Sequence, residues 1–285
     1  MSDDPDTAPP QTRDTGARAR MRRAQGRLRT PPLRNILPNV LTVLALCAGL
    51  TSVRYGFEGR FEMAVTAILV AALLDALDGR VARLLHGQSK FGAELDSLAD
   101  FFNFGVAPVL VLYFWSLETL GGLGWVAVLG YAVACALRLA RFNVALDEDP
   151  DRPAWMSGFF TGVPAPAGAG LVMLPLYMDF AEVTAFMLWP SLVAIHIGAV
   201  AFLMVSRLPT FSGKHLRMTT RGDRALPVLL GVALLAALAV SYPWATVIGI
   251  AAVYTVTLPL SFWRHRVLTR RTELARAARE RSLDT

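Results

Sequence analysis

Eight long apolar blocks divide this chain, each about the length needed to cross a bilayer core, and no other feature limits its fold so tightly. They run roughly over residues 37–56, 61–77, 96–117, 122–144, 159–178, 184–206, 226–242 and 244–263. Polar, mostly Arg-rich stretches separate them. In hydrocarbon the backbone must satisfy its own N–H and C=O groups, which leaves only helices and closed barrels. The blocks are continuous rather than alternating, so they predict helices. The expected fold is an all-α integral membrane protein with about eight transmembrane helices. Composition agrees, because 54% of the 285 residues are hydrophobic, more than soluble domains usually carry.

Charge sets the expected orientation. Eight spans put both chain ends on one side of the membrane. Of the 28 Lys and Arg residues, 26 fall on that side, and only Arg54 and Arg60 fall opposite. The positive-inside rule then places both ends in the cytoplasm, with the protein multi-pass in the cell membrane. The pI near 9.8 is thus a topology signal. Basic residues that flank spans do not build a nucleic-acid surface, and no nucleic-acid partner is expected. Residues 1–34 are rich in Pro, Arg and Asp, with almost no large apolar side chains. They predict a disordered basic cytoplasmic tail without the apolar segment and cleavage site of a signal peptide. The Arg cluster from Arg18 to Arg34 would lie beside the inner leaflet and attract anionic lipid, although anchoring the topology is its simpler use. Residues 264–285 predict a second basic cytoplasmic tail, amphipathic or frayed. Cys47 and Cys135 both lie inside predicted spans, so no disulfide framework is implied.

Charged residues inside spans are costly and usually functional. The segment 73–102, LLDALDGRVARLLHGQSKFGAELDSLADFF, concentrates them. Asp75 and Asp78 are three apart near the cytoplasmic end of the second span. Asp96 and Asp100 are four apart near the cytoplasmic start of the third. Each spacing places a pair on one helix face. The intervening stretch can turn back and lay the helices side by side, so four carboxylates converge at the inner membrane edge. Four anions in a low dielectric need compensation. Oxygen donors of this kind suit Mg²⁺, Mn²⁺ or Ca²⁺, and two divalent metal ions bridged by carboxylates suit in-line displacement at phosphorus. Snorkelling to water, or pairing with Arg80, Arg83 and Lys90, would account for a single Asp but poorly for four at paired helical spacing. Gly79 and Gly92 would let a ligand approach the backbone, and the small Ala82 leaves room beside Asp78.

The string Asp75-x2-Asp78-Gly79-x2-Ala82-Arg83-x8-Gly92-x3-Asp96-x3-Asp100 resembles the complete signature of the CDP-alcohol phosphotransferase family, with every fixed position present. The resemblance implies six helices forming a catalytic core with a cytoplasm-facing site. There an alcohol attacks the lipid-bearing phosphorus of a CDP-linked lipid, and CMP leaves. It also implies roles. Asp75, Asp78 and Asp96 would hold the metals, while Asp100 would lie near the second metal and act as the general base. Gly79, Ala82, Arg83 and Gly92 would line the CDP site, with Ser89 as a hydroxyl contact. Asn39 and Thr42, from the segment Pro38-Asn39-x2-Thr42, would touch the nucleotide. These roles agree with the chemistry: cations and an Arg stabilise charge on the leaving CMP, and a hydroxyl needs a base before it attacks. A carboxylate held beside a metal is a weak base, so positioning must supply much of the rate.

Within that family, the stretches 97–108 (SLADFFNFGVAP), 137–143 (LRLARFN), 160–166 (FTGVPAP) and 209–214 (PTFSGK) resemble the serine-specific branch, as do two helices beyond the usual six. This implies CDP-diacylglycerol as donor and L-serine as acceptor, in a setting of membrane lipids. Asn103 departs from the branch, where a serine is expected, but keeps a hydrogen-bonding group. Arg138 and Arg141 would recognise phosphate or the serine carboxylate, or else serve as a positive-inside flank. Pro164 and Pro166 would break or kink the fifth span. His196 reads as a hydrogen-bonded packing residue in the sixth. The chain then divides into the tail 1–34, a catalytic core 35–206, a segment 207–263 with a cytoplasmic loop and two further helices, and the tail 264–285. A homodimer is compatible with this reading. The alternative is the same transfer to glycerol phosphate, inositol phosphate or choline. A transporter would carry its charges near mid-membrane on broken, repeated helices, whereas these carboxylates sit at one edge and no repeat is visible. An inactive scaffold would have no use for the intact motif.

Overall fold

The computed structural model describes residues 33–85, 89–147, 159–183, 189–206, 208–211 and 225–283. Almost all of the N-terminal tail and all of the basic loop 212–224 lie outside this set, and so do the expectations placed on them.

Helix α1 (Leu33–Phe57) and helix α2 (Phe61–Leu84) form an antiparallel hairpin. The reversal is a Schellman-type cap: the Arg60 N–H donates to the Tyr55 carbonyl at 2.9 Å and the Gly59 N–H to Gly56 at 3.1 Å. Gly59 has φ +75°, a conformation that costs a glycine nothing. Helix α3 (Lys90–Asp100) runs into a π-helical turn (Phe101–Val106) and then α4 (Ala107–Trp115), so the third predicted span starts several residues earlier than its apolar block. Pro108 has no N–H to give the carbonyl four residues back. That carbonyl, Phe104, accepts instead from the buried Tyr131 hydroxyl at 3.1 Å. A 3₁₀ turn (Leu117–Leu120) leads into α5 (Gly122–Asp147).

The fifth predicted span is two short helices, α6 (Ala165–Val172) and α7 (Leu174–Phe180). Its first residues, Phe159–Thr161, are extended, and helix begins only after Pro164, which stands at the N-cap of α6 with Pro166 in its first turn. A second interruption falls at Met173, ahead of Pro175. Pro175 leaves the Leu171 carbonyl short of a helical donor, and His196 Nε2 reaches it at 2.9 Å. His196 thus has the packing role read from the sequence. Helix α8 (Pro190–Val205) follows. Strand β1 (Phe159–Thr161) pairs antiparallel with β2 (Pro209–Phe211), in the register Phe159–Phe211 and Thr161–Pro209. This two-strand clasp is the one departure, among the described residues, from an otherwise helical chain. Gly162 follows β1 at φ +77°, and a Cβ there would lie 2.5 Å from the Met204 carbonyl oxygen. Helices α9 (Ala225–Ser241) and α10 (Pro243–Leu283) complete the chain. Helix α10 continues through the expected C-terminal tail without a break.

Four described helical stretches are long and apolar enough to cross a membrane: Ile36–Phe57, Lys90–Trp115, Gly122–Val144 and Pro243–Arg264. Helix α2 has the length, but every 18-residue window of it holds at least three charged residues. Two of them, Asp75 and Asp78, belong to the site. The core packs Phe104, Leu112, Tyr131, Leu176, Tyr177 and Ile197 to near-zero exposure. Outside it, large apolar side chains such as Leu73, Ile195, Phe202 and Leu229 face outward, each more than 60% exposed. That is the surface of a protein whose solvent is lipid. Aromatic residues gather at the ends of α4 and α7: Tyr113 packs edge-on to Trp125, Phe180 lies against Trp244, and Trp115 Nε1 donates to Asp179 at 3.2 Å. Such rings suit a membrane interface. The carboxylates lie at the other end.

Candidate active site

Alternating helix direction brings the start of α1, the end of α2, the start of α3 and the end of α5 to one end of the bundle. Each contributes polar side chains there. Asp75, Asp78 and Asp96 each offer a carboxylate oxygen, and the three oxygens lie within 4.8 Å of one another. Asp78 is 3% exposed. Asp100, one turn beyond Asp96, lies against Asp75. Asp75 Oδ1 and Asp100 Oδ1 are buried without a hydrogen-bond partner. Among the described residues, the ion pairs are those of Glu58 with Arg54 and Arg60, far from this cluster. Arg80, Arg83 and Lys90 therefore do not neutralise the four carboxylates. Half-buried to buried carboxylates at this spacing, two of their oxygens without a partner, fit hard divalent cations.

Thr42 and Asn39, expected at the nucleotide, make contacts of their own within the fold. The Thr42 side chain is buried, and its hydroxyl donates to Asp78 Oδ2 at 2.6 Å, with the Pro38 carbonyl 3.1 Å away. It orients a carboxylate. Asn39 lies on the turn into α3: a Cβ at Gly92 would come within 2.7 Å of Asn39 Oδ1 and 3.1 Å of Ser89 Oγ. Gly92 is small because α1 packs on it. Ser89 is the N-cap of α3, accepting the Gly92 N–H at 3.0 Å, the usual use of a serine at a helix start. Gly79 is different. A Cβ there would meet nothing within 4 Å, so the surface next to Asp78 is open to a ligand. Arg83 folds back on its own helix, with Nε donating to the Gly79 carbonyl at 3.0 Å. Ala82 is half-buried on the same turn.

Arg138 and Arg141 part company. Arg138 is buried at 8% exposure, its guanidinium over the Phe142 ring at 5.5 Å and its charge acting on Asp100. Its Nε has no hydrogen-bond partner. Arg141 is exposed and donates to the Val205 carbonyl at 2.9 Å, closing the C-terminal end of α8. Asn143 Nδ2 donates to Ser97 Oγ at 3.1 Å and ties α5 to the helix that carries Asp96. Asn103 sits in the π-helical turn, fully buried, with neither side-chain polar atom bonded. A π-turn just after a functional residue is a common device for re-aiming a helix face. Sequence reasoning missed the Thr42–Asp78 bond, because no spacing rule relates residues 36 apart.

Residues 35–205 match the family model of CDP-alcohol phosphatidyltransferase, and residues 225–259 match that of CDP-alcohol phosphatidyltransferase 2. The chain is 41% identical over 241 residues to the CDP-diacylglycerol–serine O-phosphatidyltransferase of Mycobacterium bovis, covering 84% of this chain and 82% of that one. It is 42% identical to the enzyme of that name from Mycobacterium leprae, over 82% of this chain and 76% of the relative. The crystal structure of Mycobacterium tuberculosis phosphatidylinositol phosphate synthase with CDP-DAG bound aligns with a TM-score of 0.45 and 22% identity, over 62% of this chain and 88% of that one. The chain is a multi-pass membrane enzyme of the CDP-alcohol phosphatidyltransferase family.

Proposed function

We propose that this enzyme transfers the phosphatidyl group of CDP-diacylglycerol to the hydroxyl of L-serine, giving phosphatidylserine and CMP. The observation that carries the chemistry is the cluster of Asp75, Asp78 and Asp96, three carboxylates within 4.8 Å that pair with no Lys or Arg among the described residues, backed by Asp100. Asp75, Asp78 and Asp96 would hold two divalent ions, Mg²⁺ or Mn²⁺, with Asp100 beside the second. Bound there, the ions would neutralise the diphosphate and stabilise charge on the departing CMP. The open face at Gly79 admits the diphosphate next to Asp78. Asp100 takes the proton of the serine hydroxyl as its oxygen bonds to the lipid-bearing phosphorus. The bond from that phosphorus to the bridging oxygen breaks, and CMP carries that oxygen away. Arg138, buried and facing Asp100, is suited to the acceptor's carboxylate, which would leave the serine hydroxyl near the base.

The serine assignment is supported by relatives that carry this activity in their names at 41–42% identity over most of both chains. Eight spans, with both ends and the site in the cytoplasm, follow from the distribution of Lys and Arg. The test is purified protein with CDP-diacylglycerol, a divalent ion and a panel of alcohols, read as CMP release and as the lipid formed. L-Serine is expected to support release, and glycerol phosphate, inositol phosphate and choline are not. Faster release with glycerol phosphate would keep the family and remove the serine assignment.

A further inference from the structure

Arg138 and Asp100 stand on two helices that barely meet. Among the described residues, α5 packs closely on the π-turn and touches α3 itself at few points. Three contacts set the register between these antiparallel segments. The Tyr131 hydroxyl donates to the Phe104 carbonyl at 3.1 Å. Cys135 lies against Gly105, where an added Cβ would come 2.9 Å from its Sγ. Asn143 Nδ2 donates to Ser97 Oγ at 3.1 Å. The first two contacts are buried, and the third lies at the exposed end of the bundle. Arg138 and Asp100 fall between the second and the third. On α5, Arg138 follows Cys135 by three residues and precedes Asn143 by five. On the facing segment, Asp100 precedes Gly105 by five and follows Ser97 by three. On the other flank of α5, Arg141 Nη1 donates to the Val205 carbonyl at 2.9 Å. The end of α5 is thus tied to α8 on one side and, through Asn143, to the carboxylate helix on the other. Where backbone packing is sparse, such a tie decides the spacing of the groups beside it.

We propose that Asn143 is a positioning residue: through Ser97 it fixes the gap between Arg138 on α5 and Asp96 and Asp100 on α3. A small hydroxy acid must span that gap, its carboxylate at Arg138 and its hydroxyl at Asp100. A misplacement of about 1 Å is enough to cost one end of such an acceptor its partner. The proposal rests on the acceptor role given above to Arg138.

The test compares full-length wild type with Asn143→Ala, Ser97→Ala, their double variant, Ser97→Thr and Arg138→Lys. Each is assayed with CDP-diacylglycerol and Mn²⁺ over a range of L-serine, and its unfolding midpoint is measured alongside. Asn143→Ala and Ser97→Ala should each raise the KM for L-serine about three- to tenfold, the effect of losing one neutral hydrogen bond. The KM for CDP-diacylglycerol and the half-saturating Mn²⁺ concentration should stay near wild type, because the hold of α1 on Asp78 is untouched. The double variant should match either single one, since both remove the same bond. Ser97→Thr keeps the hydroxyl and should behave like wild type. Should Asn143→Ala fail to fold, Ser97→Ala against Ser97→Thr decides alone. An unchanged serine KM in the alanine variants, with a raised one in Arg138→Lys, overturns the positioning role and leaves the acceptor reading standing. An unchanged serine KM in Arg138→Lys overturns the acceptor reading and the proposal with it. Additive losses in the double variant, or equal losses toward serine, CDP-diacylglycerol and Mn²⁺, make the bond a general structural tie and overturn the proposal.

Discussion

Thr42→Val removes one hydroxyl from beneath the carboxylate cluster and nearly preserves shape. The hydroxyl sits 2.6 Å from Asp78 Oδ2, and Asp78 is 3% exposed, so bulk water cannot readily replace it. A hydrogen bond to a charged group contributes about 1.5–3 kcal/mol. At roughly 1.4 kcal/mol per factor of ten, its loss corresponds to about a 10- to 100-fold weaker hold on a divalent ion, the range seen when a group that orients a metal ligand is removed. The assay is CMP release against Mn²⁺ concentration at saturating CDP-diacylglycerol and L-serine. Half-saturation should move up by that factor, while the rate at saturating Mn²⁺ should stay within a few-fold of wild type. Thr42→Ser keeps the donor and should behave like wild type. If Thr42 instead touched the nucleotide, Thr42→Val would raise the KM for CDP-diacylglycerol and leave the Mn²⁺ curve in place, and that result would refute the reasoning.

Asp100→Asn keeps the size of the side chain and loses its basicity, so turnover at saturating metal should fall by roughly 10²-fold or more while CDP-diacylglycerol still binds; full recovery at high metal would make Asp100 a ligand only. Gly105→Ala would put a Cβ 2.9 Å from Cys135 Sγ and 3.1 Å from the Phe101 ring, an overpacking that costs about 1–3 kcal/mol; the unfolding midpoint should drop, and Cys135→Ala in the same chain should restore part of it. In a background without Cys47 and Cys135, a cysteine at Glu118 should react with an impermeant reagent from outside, and one at Lys90 only after the cytoplasmic face is opened; labelling of both from the same side contradicts the proposed topology.

The carboxylate cluster was legible from the sequence because it is local. Asp75 with Asp78, and Asp96 with Asp100, declare themselves by helical spacing, and the few residues between their helices keep the two pairs close. Long apolar blocks likewise announce helices in lipid. What escaped depends on partners distant in the chain. The bond from Thr42 to Asp78 is made by the α1–α2 hairpin, across 36 positions of sequence. Arg138 and Arg141, three apart, were treated as a pair; α8 captures one through the Val205 carbonyl and leaves the other facing Asp100. Ser89 also caps α3, a use its spacing before Gly92 did not call attention to. The fifth block breaks at Pro164, where an extended segment gives way to α6, and again at Met173, ahead of Pro175, a second break that was not read from the sequence. The π-turn after Asp100 and the β1–β2 clasp leave no periodic mark in a sequence this apolar.

The central claim is that buried carboxylates act here as a divalent-metal site for phosphatidyl transfer. It is tested most directly by the rate of phosphatidylserine formation from CDP-diacylglycerol and L-serine as metal is removed and returned. In excess chelator, wild-type turnover should be lost and should return with added Mn²⁺ or Mg²⁺. Asp96→Asn should stay inactive at every metal concentration. Full turnover of metal-free wild type, or a near-normal rate in Asp96→Asn, would contradict it.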